Sequence, residues 1–338
     1  MKTEYLSMKE IERAAGWIQK GETVAFQTET VYGLGADATN KKAVQKIYQA
    51  KGRPSDNPLI IHVARRAQVL EYCEDISPQA KMLMDAFWPG PLTLILKAQK
   101  NKLAIPVTAG LDTVGIRFPA TEAAQKLIRL AGVPLAAPSA NTSGRPSPTT
   151  AHHVLHDLDG KIAAVLDSGP AQVGLESTIV DLTAGSVPVI LRPGGISREA
   201  VEEVVGPVSV SKPDLQKSDI AKAPGMKYKH YAPDEDLFIV DGPEEDWREK
   251  ILDLKDEGQQ VGIIANEDLT AELGSIIQAS YSLGRKGDAE SAASRLFDAL
   301  RHFEKTGVTV ILAEAYPETG LGLAYMNRLD KAADHRYL

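Results

Sequence analysis

The chain carries a single cysteine, Cys73, in 338 residues. A lone thiol excludes an intramolecular disulfide framework and a cysteine-rich zinc site. No apolar run approaches the roughly 18 residues of a membrane span. Met1 to Lys20 holds no uninterrupted apolar stretch of the signal-peptide kind. Positive charge is also short. Lys and Arg number 38 against 45 Asp and Glu, a net charge of −7. That balance argues against direct DNA binding and non-specific nucleic-acid binding, while leaving room for a local basic pocket. What remains is ordinary for a soluble globular protein: 43% hydrophobic and 25% charged residues, which decides against disorder. At about 150 residues per domain the length predicts two domains, each large enough to bury a core without staples. The expectation is a soluble, cytoplasmic, two-domain protein with no membrane contact.

The first part alternates helix and strand signals. Ser7 and Glu10 have capping-box spacing ahead of Ile11, Ala14, Ala15 and Ile18, which share one helix face. Strands are predicted at 23–27, 59–63, 92–97, 114–118, 135–137, 178–182 and 187–191. Helices are predicted at 41–50, 77–87, 121–131 and 197–205. Such alternation predicts an α/β domain whose sheet need not be all parallel. Residues 206–236 show no sustained period and read as a linker. Its second half, Ala223 to Pro233, carries Tyr228, His230 and Tyr231, rings that a plain spacer does not need. Beyond it, strands at 237–241, 260–265, 276–281 and 308–313 alternate with helices at 244–257, 288–303 and 319–333. This is a small Rossmann-like α/β pattern.

Several motifs bear on chemistry. Gly33-Leu-Gly35-Ala-Asp-Ala38 matches a dinucleotide fingerprint, but Thr28 to Tyr32 separates it from the preceding strand, so the glycines are expected in a tight turn. There is no phosphate-binding G-x-x-x-x-G-K-[ST] loop and no G-x-S-x-G nucleophile elbow. His152 and His156 share a helix face, yet the carboxylate and third ligand of a metal site are missing. Lys51-Gly-Arg53 ends a helix, where cations are favoured by the dipole or can clamp a phosphate. His62 lies in an apolar strand, as a core histidine or a site residue. Ala137-Pro-Ser139-Ala-Asn141-Thr-Ser143-Gly-Arg145-Pro-Ser147 places hydroxyls, an amide and an arginine after a strand, as a turn-rich loop or an anion site. Arg117 sits inside an apolar strand and needs either an internal carboxylate or a bound anion. Together with Arg192, the cations Lys51, Arg53, Arg117 and Arg145 could line a pocket for a polyanionic substrate.

Taken in order, Thr28-Glu-Thr30-Val-Tyr32-Gly-Leu-Gly35, Lys51-Gly-Arg53-Pro, Pro58-Leu-Ile-Ile-His62, Trp88-Pro-Gly-Pro-Leu-Thr93, Gly115-Ile-Arg117, Pro138-Ser139-Ala-Asn141-Thr-Ser143-Gly144 and Ser177-Thr-Ile-Val-Asp181 resemble the YrdC-type family over roughly residues 7–206. Pro224-Gly225 through His230-Tyr231-Ala-Pro233, with the second domain, is similar to the longer, two-domain L-threonylcarbamoyladenylate synthases of that family. Gln27 stands where the family often has proline. The resemblance implies a YrdC-like twisted mixed-sheet domain (1–208), a linker acting as an active-site lid (209–236) and a C-terminal Rossmann-like α/β domain (237–338).

It also implies a nucleotidyltransferase that makes threonylcarbamoyl-AMP and pyrophosphate from ATP, L-threonine and bicarbonate or CO2. A separate tRNA threonylcarbamoyl-transferase machinery would consume the product. Lys51, Arg53 and Arg117 would be catalytic. ATP would meet Lys51, Arg53, Asn57, Thr113, Ser139, Asn141, Ser147, Arg192 and Tyr231. Threonine would meet Thr30, His62, Arg117, Ala137 and Ser177, with Arg117 on its carboxylate. Mg2+ is expected through the ATP phosphates, with no side-chain metal ligand assigned. Two other readings fit a YrdC-like fold: a nucleotide- or RNA-binding module without catalysis, and carbamoyl-adenylate chemistry on another acceptor.

Overall fold

The computed structural model describes residues 2–211, 222–224 and 231–338. They fall into two compact units. One takes the chain up to Ser143 and resumes at Ser147 as far as the linker; the other takes Gly144–Pro146 and the C-terminal residues.

In the first unit the strands are β1 (Glu4–Ser7), β2 (Val24–Gln27), β3 (Tyr32–Asp37), β4 (Ile60–His62), β5 (Leu92–Lys97), β6 (Thr113–Arg117), β7 (Leu135–Ala136), β8 (Ala164–Asp167), β9 (Thr178–Asp181), β10 (Val189–Arg192) and β11 (Ser209–Val210). They form one sheet in the order β1-β8-β2-β3-β7-β4-β6-β5-β9-β10-β11. It is mixed: β4 and β6 run parallel, whereas β2–β3, β4–β7 and β5–β6 are antiparallel. Alternation along each strand sends residues to opposite faces. Val24, Phe26, Leu135 and Leu166 pack with Ile11, Ala15, Ile18, Leu127 and Ile128 from helices Ile11–Gln19 and Glu122–Ala131. Ala25, Leu34, Ile61, Leu94 and Val180 join the other cluster, with Ile47 of helix Lys41–Lys51 and Leu83 of helix Pro78–Phe87. The helix starts follow their side chains: Asn40, Ser77, Thr121 and Ser197 each cap a first turn. A third cluster joins Ile60, Ile95 and Ile179 to Ala223, which is fully buried.

Gly33 and Gly35 lie in β3, not in the tight turn expected of them. Glycine is depleted in strands, so composition alone pointed elsewhere. The reason lies across the ladder, where Phe26 pairs with Gly33. A Cβ on Gly35 would lie 2.7 Å from Phe26 Cε1. The ring occupies the space a side chain would need. β1 and β8 were also not anticipated.

The second unit holds β12 (Asp236–Val240), β13 (Val261–Ala265), β14 (Ala279–Ser282) and β15 (Val310–Glu314), all parallel in the order β12-β15-β13-β14. Trp247, Ile251, Ile263, Leu269 and Leu312 form its core. The strand expected at 276–281 begins at Ala279, and helix Glu267–Leu273 was not anticipated. No helix among the described residues is long and apolar enough to cross a membrane.

Gly35→Ala should destabilise the protein by about 1–3 kcal/mol through overpacking against Phe26. Urea denaturation measures this, and an unchanged midpoint would overturn the close-approach account of β3.

Candidate functional site

The turn between β2 and β3 is built by its hydroxyls. Thr28 Oγ1 donates to the Val31 carbonyl at 2.7 Å and lies 2.8 Å from Thr30 Oγ1. This tight loop holds Glu29 and Thr30 buried. Both meet Arg117 at the end of β6. Arg117 Nη2 donates to Glu29 Oε1 at 2.6 Å, Nη1 donates to Thr30 Oγ1 at 2.9 Å, and Nε donates to the Gly90 carbonyl at 3.3 Å. The two charged side chains are only 5% and 7% exposed. The buried cation therefore has an internal carboxylate as its counter-charge. Glu29 was absent from the expected site residues. Its signal was available in the polar triplet Thr28-Glu29-Thr30 between two apolar strands, but a triplet does not say which strand it will face.

His62 is paired with Arg117 in the β4–β6 register. Burial, and then the neighbouring Arg117 charge, hold its imidazole down at about 3. It is therefore neutral at physiological pH, with no partner for Nδ1 among the described residues. At the same end of the strands, Ser177 Oγ and Thr93 Oγ1 are 2.7 Å apart, and Thr93 lies opposite Arg117 in the β5–β6 ladder. Arg192 at the end of β10 donates from Nη2 to the Ser177 carbonyl at 2.9 Å and to Ser177 Oγ at 3.3 Å. The Gly-Gly pair after it permits this approach: a Cβ on Gly194 would lie 2.3 Å from the Glu176 carbonyl oxygen. Thr30, His62, Arg117 and Ser177 are thus brought together. Ala137 follows β7 and donates its backbone N–H to the Ile60 carbonyl at 3.0 Å.

The loop after β7 is held by Lys51. Its ammonium, 2% exposed, donates to the carbonyls of Ser139 at 2.6 Å and Asn141 at 2.7 Å. The Lys51 carbonyl accepts from Ser143 N at 2.9 Å. Much of the cation's hydrogen bonding is therefore directed at the loop itself. Ser147 Oγ lies 2.7 Å from Glu176 Oε1, to which it donates. A hydroxyl whose O–H already donates to a carboxylate offers a ligand only lone pairs.

Arg53, Asn57 and Thr113 lie apart from the Arg117 group. Thr113 begins β6 and Arg117 ends it, so they stand roughly 13 Å apart along the strand. Asn57, 2% exposed, has no partner for Oδ1 among the described residues. Arg53 Nη2 donates to the Pro58 carbonyl at 3.2 Å.

Arg145 was expected among the cations of the pocket. It belongs to the second unit, paired with Glu304 and, at 3.5 Å, with Asp234. Carboxylates of that unit answer its charge. Tyr231 is likewise buried in the second unit, its ring 5.1 Å from Phe297 and 5.6 Å from the Arg328 guanidinium. His152 stacks on Tyr5, and His156 Nδ1 lies 3.3 Å from Asp157. Most of the expected lid, residues 212–221 and 225–230, lies outside the described residues.

The Sua5/YciO/YrdC family, described as "Telomere recombination", matches residues 17–194, and the threonylcarbamoyl-AMP synthase C-terminal domain matches residues 196–334. A threonylcarbamoyl-AMP synthase of Bacillus subtilis is 49% identical over 331 residues, covering 97% of this chain and 94% of that protein. One from Pyrococcus abyssi is 50% identical over 333 residues, covering 97% and 95%. A crystal structure of P. abyssi Sua5 complexed with L-threonine has a TM-score of 0.92 at 46% identity, covering 100% of this chain and 99% of that one. With two family matches in tandem and close relatives aligned over nearly its whole length, the chain belongs to the threonylcarbamoyl-AMP synthase family.

Proposed function

We propose that the chain condenses ATP, L-threonine and bicarbonate or CO2 into threonylcarbamoyl-AMP, releasing pyrophosphate, and also water when bicarbonate is the donor. The observation that carries this reading is the convergence of Arg117, Thr30, His62 and Ser177 at one end of the strands in a member of this family. The threonine amine adds to CO2 with loss of a proton, giving a carbamate. A carbamate oxygen then attacks the α-phosphorus of ATP, and pyrophosphate leaves. No covalent enzyme nucleophile is required, so proximity and charge stabilisation are the available levers.

In this reading Arg117 takes the threonine carboxylate, with Thr30, His62, Ser177 and the backbone at Ala137 around the amino acid. Neutral His62 can hydrogen-bond a hydroxyl without adding charge. Arg53, Asn57, Thr113, Ser139, Asn141, Ser147 and Arg192 would face ATP. Lys51 supports the site through the Ser139–Asn141 loop. Ser147, donating its hydrogen bond to Glu176, suits a ribose hydroxyl or an adenine amine rather than a phosphate oxygen. Mg2+ would enter as the ATP complex. No side chain is assigned to it.

The linker would act as a lid that keeps water from the mixed anhydride. Its described part supports this: Lys222 pairs with buried Asp181 at 3.0 Å, and Ala223 closes the Ile60–Ile95–Ile179 cluster. The product would pass in the cytoplasm to a separate transferase acting on tRNA.

Pyrophosphate release should require ATP, Mg2+, threonine and bicarbonate together, with serine a poor substitute. Release indifferent to threonine would overturn the reading. Arg53→Ala should abolish turnover. Arg117→Ala would strand buried Glu29 and cost about 3–5 kcal/mol of stability, so Arg117→Lys is the cleaner probe. Lysine keeps the charge and loses the fork, and kcat/KM for threonine should fall about a hundredfold.

His62 also sets a pH dependence. Its folded value of about 3 lies below the unfolded value near 6.5, so the unfolded chain binds the proton first. The stability contribution is complete above pH 6.5 and is lost as pH falls from there toward 3, by at most about 1.4 kcal/mol per pH unit. Urea unfolding at pH 7, 6 and 5 should show a shallower loss in His62→Asn. Identical slopes would overturn the neutral-histidine assignment.

A further inference from the structure

We infer that Glu29 is a positioning residue for threonine, acting through the guanidinium of Arg117. This rests on the reading above that Arg117 receives the threonine carboxylate. Three of the five Arg117 N–H groups are taken by Gly90, Thr30 and Glu29. Among the described residues one N–H on each terminal nitrogen keeps no protein acceptor. Two N–H groups on two nitrogens are what a carboxylate uses when bound through both oxygens.

Glu29 is itself fixed at three points. Its Oε1 accepts from Arg117, and Oε2 accepts from Ala120 N at 3.0 Å. Its backbone carbonyl accepts from Gln172 N and Val173 N, at 3.1 and 2.7 Å. The carboxylate therefore locks the plane of the guanidinium relative to the backbone. It also leaves the Glu29–Arg117 pair neutral, so the pair does not draw threonine in by net charge. Its contribution is direction.

Coulomb attraction and positioning make opposite forecasts for Glu29→Gln. Removing a negative charge beside Arg117 should tighten the binding of an anion if charge alone matters. An amide, however, accepts at one end only. Either the Ala120 N–H or the Arg117 N–H then faces an NH2 group, and the guanidinium moves. Positioning therefore forecasts weaker threonine binding.

Calorimetric titration of L-threonine and, separately, of ATP into the full-length wild type and Glu29→Gln decides between them. The expected result is a rise of about tenfold in Kd for threonine, with Kd for ATP within about twofold; the thermal midpoint falls, because Arg117 loses its buried counter-charge, but the protein stays folded at the titration temperature. Unchanged or tighter threonine binding overturns the assignment. So does a parallel loss of ATP binding, which marks a merely structural role. Should Glu29→Gln not fold, Glu29→Asp keeps the charge and both acceptors but falls short by one methylene. The same split between threonine and ATP is then required of it. A wild-type protein that does not bind threonine removes both the reading of the site and this assignment. Normal wild-type binding without the split removes this assignment alone.

Discussion

A guanidinium and a carboxylate share a dry space between the β2–β3 turn and the end of β6. Desolvating two charges costs several kcal/mol each, and only close geometry with further hydrogen bonds offsets it. Here those bonds exist, and each ties down another segment. Arg117 reaches Gly90 and Thr30; Glu29 reaches Ala120, Gln172 and Val173. Four stretches of chain distant in sequence therefore meet on one ion pair. A hydrophobic pair of the same volume could be as stable. What it could not supply is a fork of N–H groups aimed by its surroundings.

The same economy governs the loop after β7. Its residues carry hydroxyls and amides that compete with regular secondary structure. Left alone, such a loop would sample many conformations. The Lys51 ammonium organises it by gathering two of its carbonyls, and Glu176 accepts the hydrogen bond of the Ser147 hydroxyl. A buried side chain can thus shape a ligand site by fixing what the backbone and hydroxyls present.

Much of this was legible in the sequence. Helices with capped starts and strands with unbroken apolar runs were placed within a residue or two, because their signals are local. The ordered motifs identified the family. β3 was not legible, since Gly33 and Gly35 read as a turn until the Phe26 ring is seen to lie across them. The order of strands, set by pairings such as β4 with β6, is non-local for the same reason. Arg117 was recognised as a cation in need of a partner, but its carboxylate lies 88 positions away and no spacing rule reaches that far. Arg145 pairs with Glu304, and an arginine in a polar loop looks alike in sequence whether it faces a ligand or a carboxylate.

The second unit is discontinuous along the chain. Its three-residue outlier, Gly144–Pro146, supplies Arg145 to Glu304, the Pro146 carbonyl to Arg301 and the Gly144 carbonyl to Ala232 N. A gene fragment that starts within the linker would encode every strand of this unit and still omit those groups. The C-terminal domain is therefore not portable in the way its contiguous sequence match implies. Evolution could exchange or discard it cleanly only by also rewriting a tripeptide some 85 residues upstream, embedded between Asn141 and Ser147.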